Sequence, residues 1–179
     1  MPTIRTTAKI ERAAQRLVDA TGISRPPVPV ELIAAARNIT VAFDELGDDV
    51  SGMLYRRGGS AVIVINRDHA HHRQRFSISH EIGHADLHDS DTYLDGRLTL
   101  RFRDGKSATG TDIEEREANR FAAALLMPAD WVRDRFISMI AARRPLDDND
   151  AISKLASEFD VSEQAMRFRL VNLGLIDPT

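Results

Sequence analysis

The sequence predicts an α+β fold: a small twisted sheet of three to four strands, packed on helices and followed by a helical C-terminal tail. Three observations carry this expectation. Helical periodicity opens the chain, with Ile10, Ala13, Ala14, Leu17 and Val18 on one face. Three strand-like runs then follow closely, "ITVAF", "VSGMLYR" and "AVIVIN". From about Arg73 onward helical patterns dominate again. A block of strands set among helices reads as α+β.

Gly22 suits the stop of the first helix. "SRPPVPV" is a stiff connector, and "VELIAAARN" is a second short helix. "RGGS" between the last two strand-like runs reads as a hairpin turn. The helix resuming near Arg73 carries "SHEIGHADLH". Residues 89–110 are rich in Asp, Gly, Ser and Thr and read as a long loop, with one strand in "LTLRF". A strong helix runs from Ile113 to Leu126, and Pro128 ends it. Another begins near Trp131, and the tail reads as two short helices around a tight turn. Residues 1–144 are expected to form the main domain, with 145–179 a helical extension packed on it.

Composition narrows the chemistry. The 179 residues include no cysteine, so disulfides and thiolate metal sites are out. A transition metal must take nitrogen and oxygen ligands. The N-terminus has no apolar leader pattern, and no run reaches the ~18 apolar residues of a membrane helix. A cytoplasmic protein with no membrane contact is therefore expected. The net charge of −3 does not favour nucleic acid.

His80-Glu81-Ile82-Gly83-His84 reads H-E-x-x-H. Side chains four apart stack on one helix face, so His80 and His84 can both aim a ring nitrogen at one ion. Glu81 lies about 100° round the helix, beside the ion, where a general base for a water molecule belongs. Zinc suits three nitrogen and oxygen ligands with a fourth position left open. His88 repeats the spacing, but one turn further along the axis, which suits a helix-end role or one behind a ligand better than ligation. His69, His71 and His72 read as solvated histidines ahead of the helix.

A third ligand must come from elsewhere, and "GTDIEEREANRFAAALLMPAD" offers Glu114, Glu115 and Glu117. Thr111 with Glu114, and Asp112 with Glu115, also fit capping boxes. Glu115 shares a face with Ala118, Asn119 and Ala122, whose small side chains let another helix come close. Asn119 stands where it can hydrogen-bond a ligating histidine from behind.

"RQRFSISHEIGHADLH", a variable loop, then "EEREANRFAAALLMP" resembles the ImmA/IrrE family of zinc metallopeptidases. The resemblance runs from about Ile10 to Pro128. It implies a minimal gluzincin, or zincin-like, domain with the active-site helix packed on a small twisted sheet. It implies His80 and His84 as zinc ligands and Glu81 as general base. Glu115-Arg116-Glu117-Ala118-Asn119 matches the gluzincin E-x-x-A/S-D/N pattern, which makes Glu115 the third ligand and Glu117 the runner-up. The resemblance further implies a protein substrate, namely a partner transcriptional repressor.

An oxyanion donor is also required, and Tyr55, Tyr93, His88 and Arg103 are the candidates. The substrate is expected to add as a strand to a free sheet edge, in 50–56 or 61–65. Two other readings compete: a zinc-binding module without catalysis, and a DNA-binding regulator. "ISKLASEFDVSEQAMRFRLVNLGLI" has helix-turn-helix character, with Ile152, Leu155, Ala156 and Phe159 facing Met166, Leu170 and Leu173, and Ser162 as N-cap. Residues 145–179 hold seven acidic and three basic side chains, which argues against direct nucleic-acid contact. The oligomeric state is not readable from the sequence.

Overall fold

A computed structural model describes residues 4–47, 49–57, 59–88, 111–141 and 148–178. The expected strand "LTLRF", Tyr93 and Arg103 lie outside the described residues, as do the side chains of Thr111 and Asp112. The element order is α1 (Thr7–Ala20), α2 (Val30–Ala36), β1 (Ile39–Asp44), β2 (Gly52–Arg57), β3 (Ser60–Asn66), α3 (His71–Leu87), α4 (Thr111–Leu126), α5 (Ala129–Ala141), α6 (Asp148–Phe159) and α7 (Glu163–Asn172). The α+β expectation holds. No described helix is long and apolar enough to cross a membrane.

Helix α1 buries Ile10, Ala13, Ala14, Leu17 and Val18, the face its periodicity marks. Strands β2 and β3 form the expected hairpin, with Tyr55 opposite Val62 and Arg57 opposite Ser60. Gly59 takes φ +84 in the connection, a conformation that favours glycine. Strand β1 pairs parallel to β3, so the order is β1-β3-β2. This corrects one expectation: run 61–65 is the centre of the sheet and offers no edge to a substrate. The cause is its composition. Ile63 and Ile65 are fully buried, and the most apolar strand gains most from being covered on both sides.

Helix α3 is buried along Ser77–His84 without interruption, although five of those eight residues are polar. Its polar groups therefore need partners in the protein. Arg75 donates to the carbonyls of Val28 and Asp160, and Ser79 Oγ donates to the Arg75 carbonyl. Arg56 of β2 donates to the carbonyls of His84 (3.1 Å) and His88 (3.4 Å) at the helix end. Cationic donors at a helix C-terminus satisfy its orphan carbonyls and complement its dipole.

The tail rests on this scaffold. Ile152, Leu155, Ala156, Phe159, Met166 and Leu170 are buried, and Ser162 caps α7 by accepting from the Ala165 N–H. Buried Arg169 donates to the Met127 carbonyl and to Glu11 Oε2 at 2.8 Å, tying α7 to the residue that follows α4 and to α1. Asp160, at φ 53 in the turn between α6 and α7, pairs with Arg75, His71 and His72. His71 and His72 are thus exposed, as expected, but held by a shared carboxylate.

Helices α3 and α4 pack tightly at Gly83. A Cβ there would lie 3.0 Å from Phe121 Cδ1 and 3.2 Å from Phe121 Cβ and Cγ. Gly83→Ala gains about 1 kcal/mol of helix propensity, but pushing two packed helices apart costs ~1–3 kcal/mol. A net change between about zero and a loss of about 2 kcal/mol is expected in urea unfolding. A raised midpoint would mean that the helices separate freely.

Candidate metal centre

Helix α3 presents His80 and His84 one turn apart, and α4 brings Glu115 across to them. His80 Nε2 and His84 Nε2 are 3.0 Å apart. Glu115 Oε1 lies 3.0 Å from His84 Nε2, and Oε2 lies 3.3 Å from His80 Nε2. Both histidines are buried, while the Glu115 side chain keeps 35% of its exposure. One face of the cluster therefore stays open. Among the described residues, these three are the group whose ligand atoms converge as a metal site requires.

The spacing suits an ion. Ligands about 2.0–2.1 Å from a tetrahedral zinc sit about 3.3 Å from one another; here the two ring nitrogens are 3.0 Å apart and each has one Glu115 oxygen within 3.0–3.3 Å. The tautomers fit as well. His80 Nδ1 lies 3.1 Å from Asn119 Oδ1. An acceptor oxygen there makes Nδ1 the protonated nitrogen and leaves Nε2 as a lone pair. Lone pairs converging in a dry interior repel unless a proton or a cation sits among them.

Electrostatics favour ligating protonation states. Burial lowers the pKa of His84, against a smaller opposing effect of Glu115. Burial alone would raise Glu115, but hydrogen bonds with His80 and His84, which without an ion need a proton on Nε2, hold its carboxyl well below the ordinary carboxylate range. A neutral imidazole and an ionised carboxylate are the forms that bind metal. Glu81 follows His80 on α3 and is buried.

Glu117, the runner-up, is elsewhere. Its carboxylate meets His88 and Arg5 instead of the histidine pair. Two oxyanion candidates also drop out. His88 is buried, with Nδ1 3.1 Å from His84 Nδ1 and Nε2 3.1 Å from Glu117 Oε2, so both nitrogens are engaged behind His84. Tyr55 alternates with Leu54 and Arg56 along β2. Arg56 reaches the α3 carbonyls, so the pleat directs Tyr55 to the opposite face. The roles of Arg5 and Glu117 are not readable from sequence spacing, since 112 positions separate the pair.

The profile of the Peptidase M78 family, described as IrrE N-terminal-like domain, matches residues 34–171. The "Uncharacterized immunity region protein 2" of Bacillus phage phi105 is 33% identical over 158 residues, covering 86% of this chain and 90% of that protein. A solved structure titled "Mycobacterium tuberculosis transcriptional regulator" superposes with a TM-score of 0.61 at 20% identity. That match covers 92% of this chain and 46% of the regulator, so the chain spans under half of its length. At that identity the likeness speaks for the fold.

The geometry orders two substitutions. Glu115→Gln is expected to lose bound metal on dialysis, whereas Glu117→Gln loses much less, as read by elemental analysis. The reverse order would transfer ligation to Glu117.

Proposed function

The chain belongs to the Peptidase M78 family of IrrE N-terminal-like domains, and we propose that it is a zinc-dependent endopeptidase that hydrolyses a peptide bond in a protein substrate. The observation that carries this reading is the convergence of His80, His84 and the Glu115 carboxylate, with Glu81 next to His80. A zinc ion held by the three would polarise the scissile carbonyl and make a water molecule more acidic.

The chain's own residues supply the remainder. Glu81 accepts the proton of the attacking water and delivers it to the leaving amine. Asn119 holds the His80 ring from behind. The substrate runs as an extended strand along β2, whose paired edge faces β3; no second partner strand appears among the described residues. An edge that accepts only extended segments favours one limited cut over digestion.

The substrate we propose is a transcriptional repressor, which sets the site of action in the cytoplasm. The printed name of the phage relative assigns that protein to an immunity region, which supports a regulatory substrate. A rival reading makes α6 and α7 a DNA-binding helix pair. Their helix-turn-helix packing favours it, and the seven acidic against three basic side chains in 145–179 oppose it.

Two experiments separate these readings. Glu81→Gln should keep fold and zinc while slowing cleavage of a candidate repressor by ~10²–10⁴, followed by mass spectrometry. Equal cleavage by both forms would remove Glu81 from the chemistry; zinc binding without any cleavage would favour a non-catalytic module. In a gel shift, no tight duplex-DNA binding is expected at physiological salt. Sub-micromolar, salt-sensitive binding would revive the DNA-binding reading.

A further inference from the structure

A second row of buried polar groups stands behind His84. His84 Nδ1 meets His88 Nδ1 at 3.1 Å, and His88 Nε2 meets Glu117 Oε2 at 3.1 Å. Glu117 also accepts the backbone N–H of Arg5 at 2.6 Å and its guanidinium at 2.9 Å. His84, His88 and Glu117 are each 5% exposed or less, so water does not replace these partners. They come from three places: the end of α3, the second turn of α4 and the segment before α1.

From these contacts we infer that Arg5, Glu117 and His88 form a positioning relay that fixes the tautomer and ring rotation of His84. The inference rests on the reading of His84 as a metal ligand. The direction of the relay follows from donor and acceptor inventory. Glu117, paired with Arg5, offers only acceptor atoms, so His88 donates through Nε2–H. Neutral His88 then has a bare Nδ1, which can only accept. His84 must donate to it through Nδ1–H, which leaves His84 Nε2 as the lone pair beside His80 and Glu115. Each link sets the next.

One other feature agrees. His88 is the first residue past α3, in extended conformation, and Arg56 binds its carbonyl. The helix thus ends where the chain can turn His88 back beneath His84. Asn119 does the same for His80, so each imidazole has its own orienting group. The N-terminal segment thereby becomes part of the metal centre, although it is distant in sequence.

The test combines imidazole nitrogen NMR with zinc affinity measured by chelator competition. In the wild type, with or without zinc, His88 should be protonated on Nε2 and bare at Nδ1. A scalar coupling between the facing Nδ1 atoms of His84 and His88 is expected in the zinc-loaded protein. Glu117→Gln puts an amide donor where only acceptors fit, and should weaken zinc binding about 10–100-fold. Arg5→Met leaves the backbone N–H in place and should weaken it less.

His88 protonated on Nδ1, or a folded Glu117→Gln with unchanged zinc affinity, would overturn the relay. If Glu117→Gln does not fold, the wild-type tautomer and Arg5→Met still decide. Failure of the wild type to bind zinc would instead sink the metal reading, and the His88 tautomer would then test the relay alone.

Discussion

Three electron-rich atoms aimed at one point in a largely dry interior are the constraint on which the rest of this structure depends. His80 Nε2 and His84 Nε2 are 3.0 Å apart, and each meets one oxygen of the Glu115 carboxylate, Oε2 at 3.3 Å and Oε1 at 3.0 Å. Such an arrangement is unfavourable by itself and must be imposed by the surrounding fold. The imposition is visible in α3, which is buried around its whole circumference from Ser77 to His84. Apolar packing of Ile78 and Ile82 holds the helix in place. Gly83 under Phe121 lets α4 come close enough for Glu115 to reach the pair. A bulkier residue at Gly83 would separate the two helices that share the site.

Burying polar groups in this way requires a partner for each, since an unpaired buried group costs ~1–3 kcal/mol. The partners are drawn from across the chain. Asn119 serves His80, His88 serves His84, and Arg56 of β2 serves the carbonyls at the helix end. At the other end Arg75 reaches the Asp160 carbonyl in the turn of the tail. The C-terminal helices thus help to position the start of the same helix that carries the His80 and His84 pair. Their acidic surface and their anchoring through Arg169 fit this supporting role.

Much of this was legible in the sequence because it obeys short-range rules. The α1 face, the β2–β3 hairpin, the Ser162 cap and the His80–His84 pairing each follow from spacing within a few residues. Glu115 was reached through a motif, and its choice over Glu117 is a question of which side of α4 faces α3. What spacing did not disclose is long-range pairing. The parallel β1–β3 ladder put "AVIVIN" at the sheet centre, because that strand had the most apolar surface to cover. Arg5 with Glu117 and Asp160 with Arg75 join segments separated by 112 and 85 positions. No local pattern announces such contacts. His88 stands at the helix end with its ring against His84; nothing in the spacing pointed to Glu117 as its partner.

The central claim is that His80, His84 and Glu115, and not His88, would hold the ion. X-ray absorption at the zinc edge of the zinc-loaded wild type tests it directly, because imidazole rings leave a distinctive multiple-scattering signature. Two imidazole nitrogens, with the remaining ligands oxygen, all at about 2.0–2.1 Å, are the predicted result. A third imidazole in the shell, or fewer than two, would contradict it.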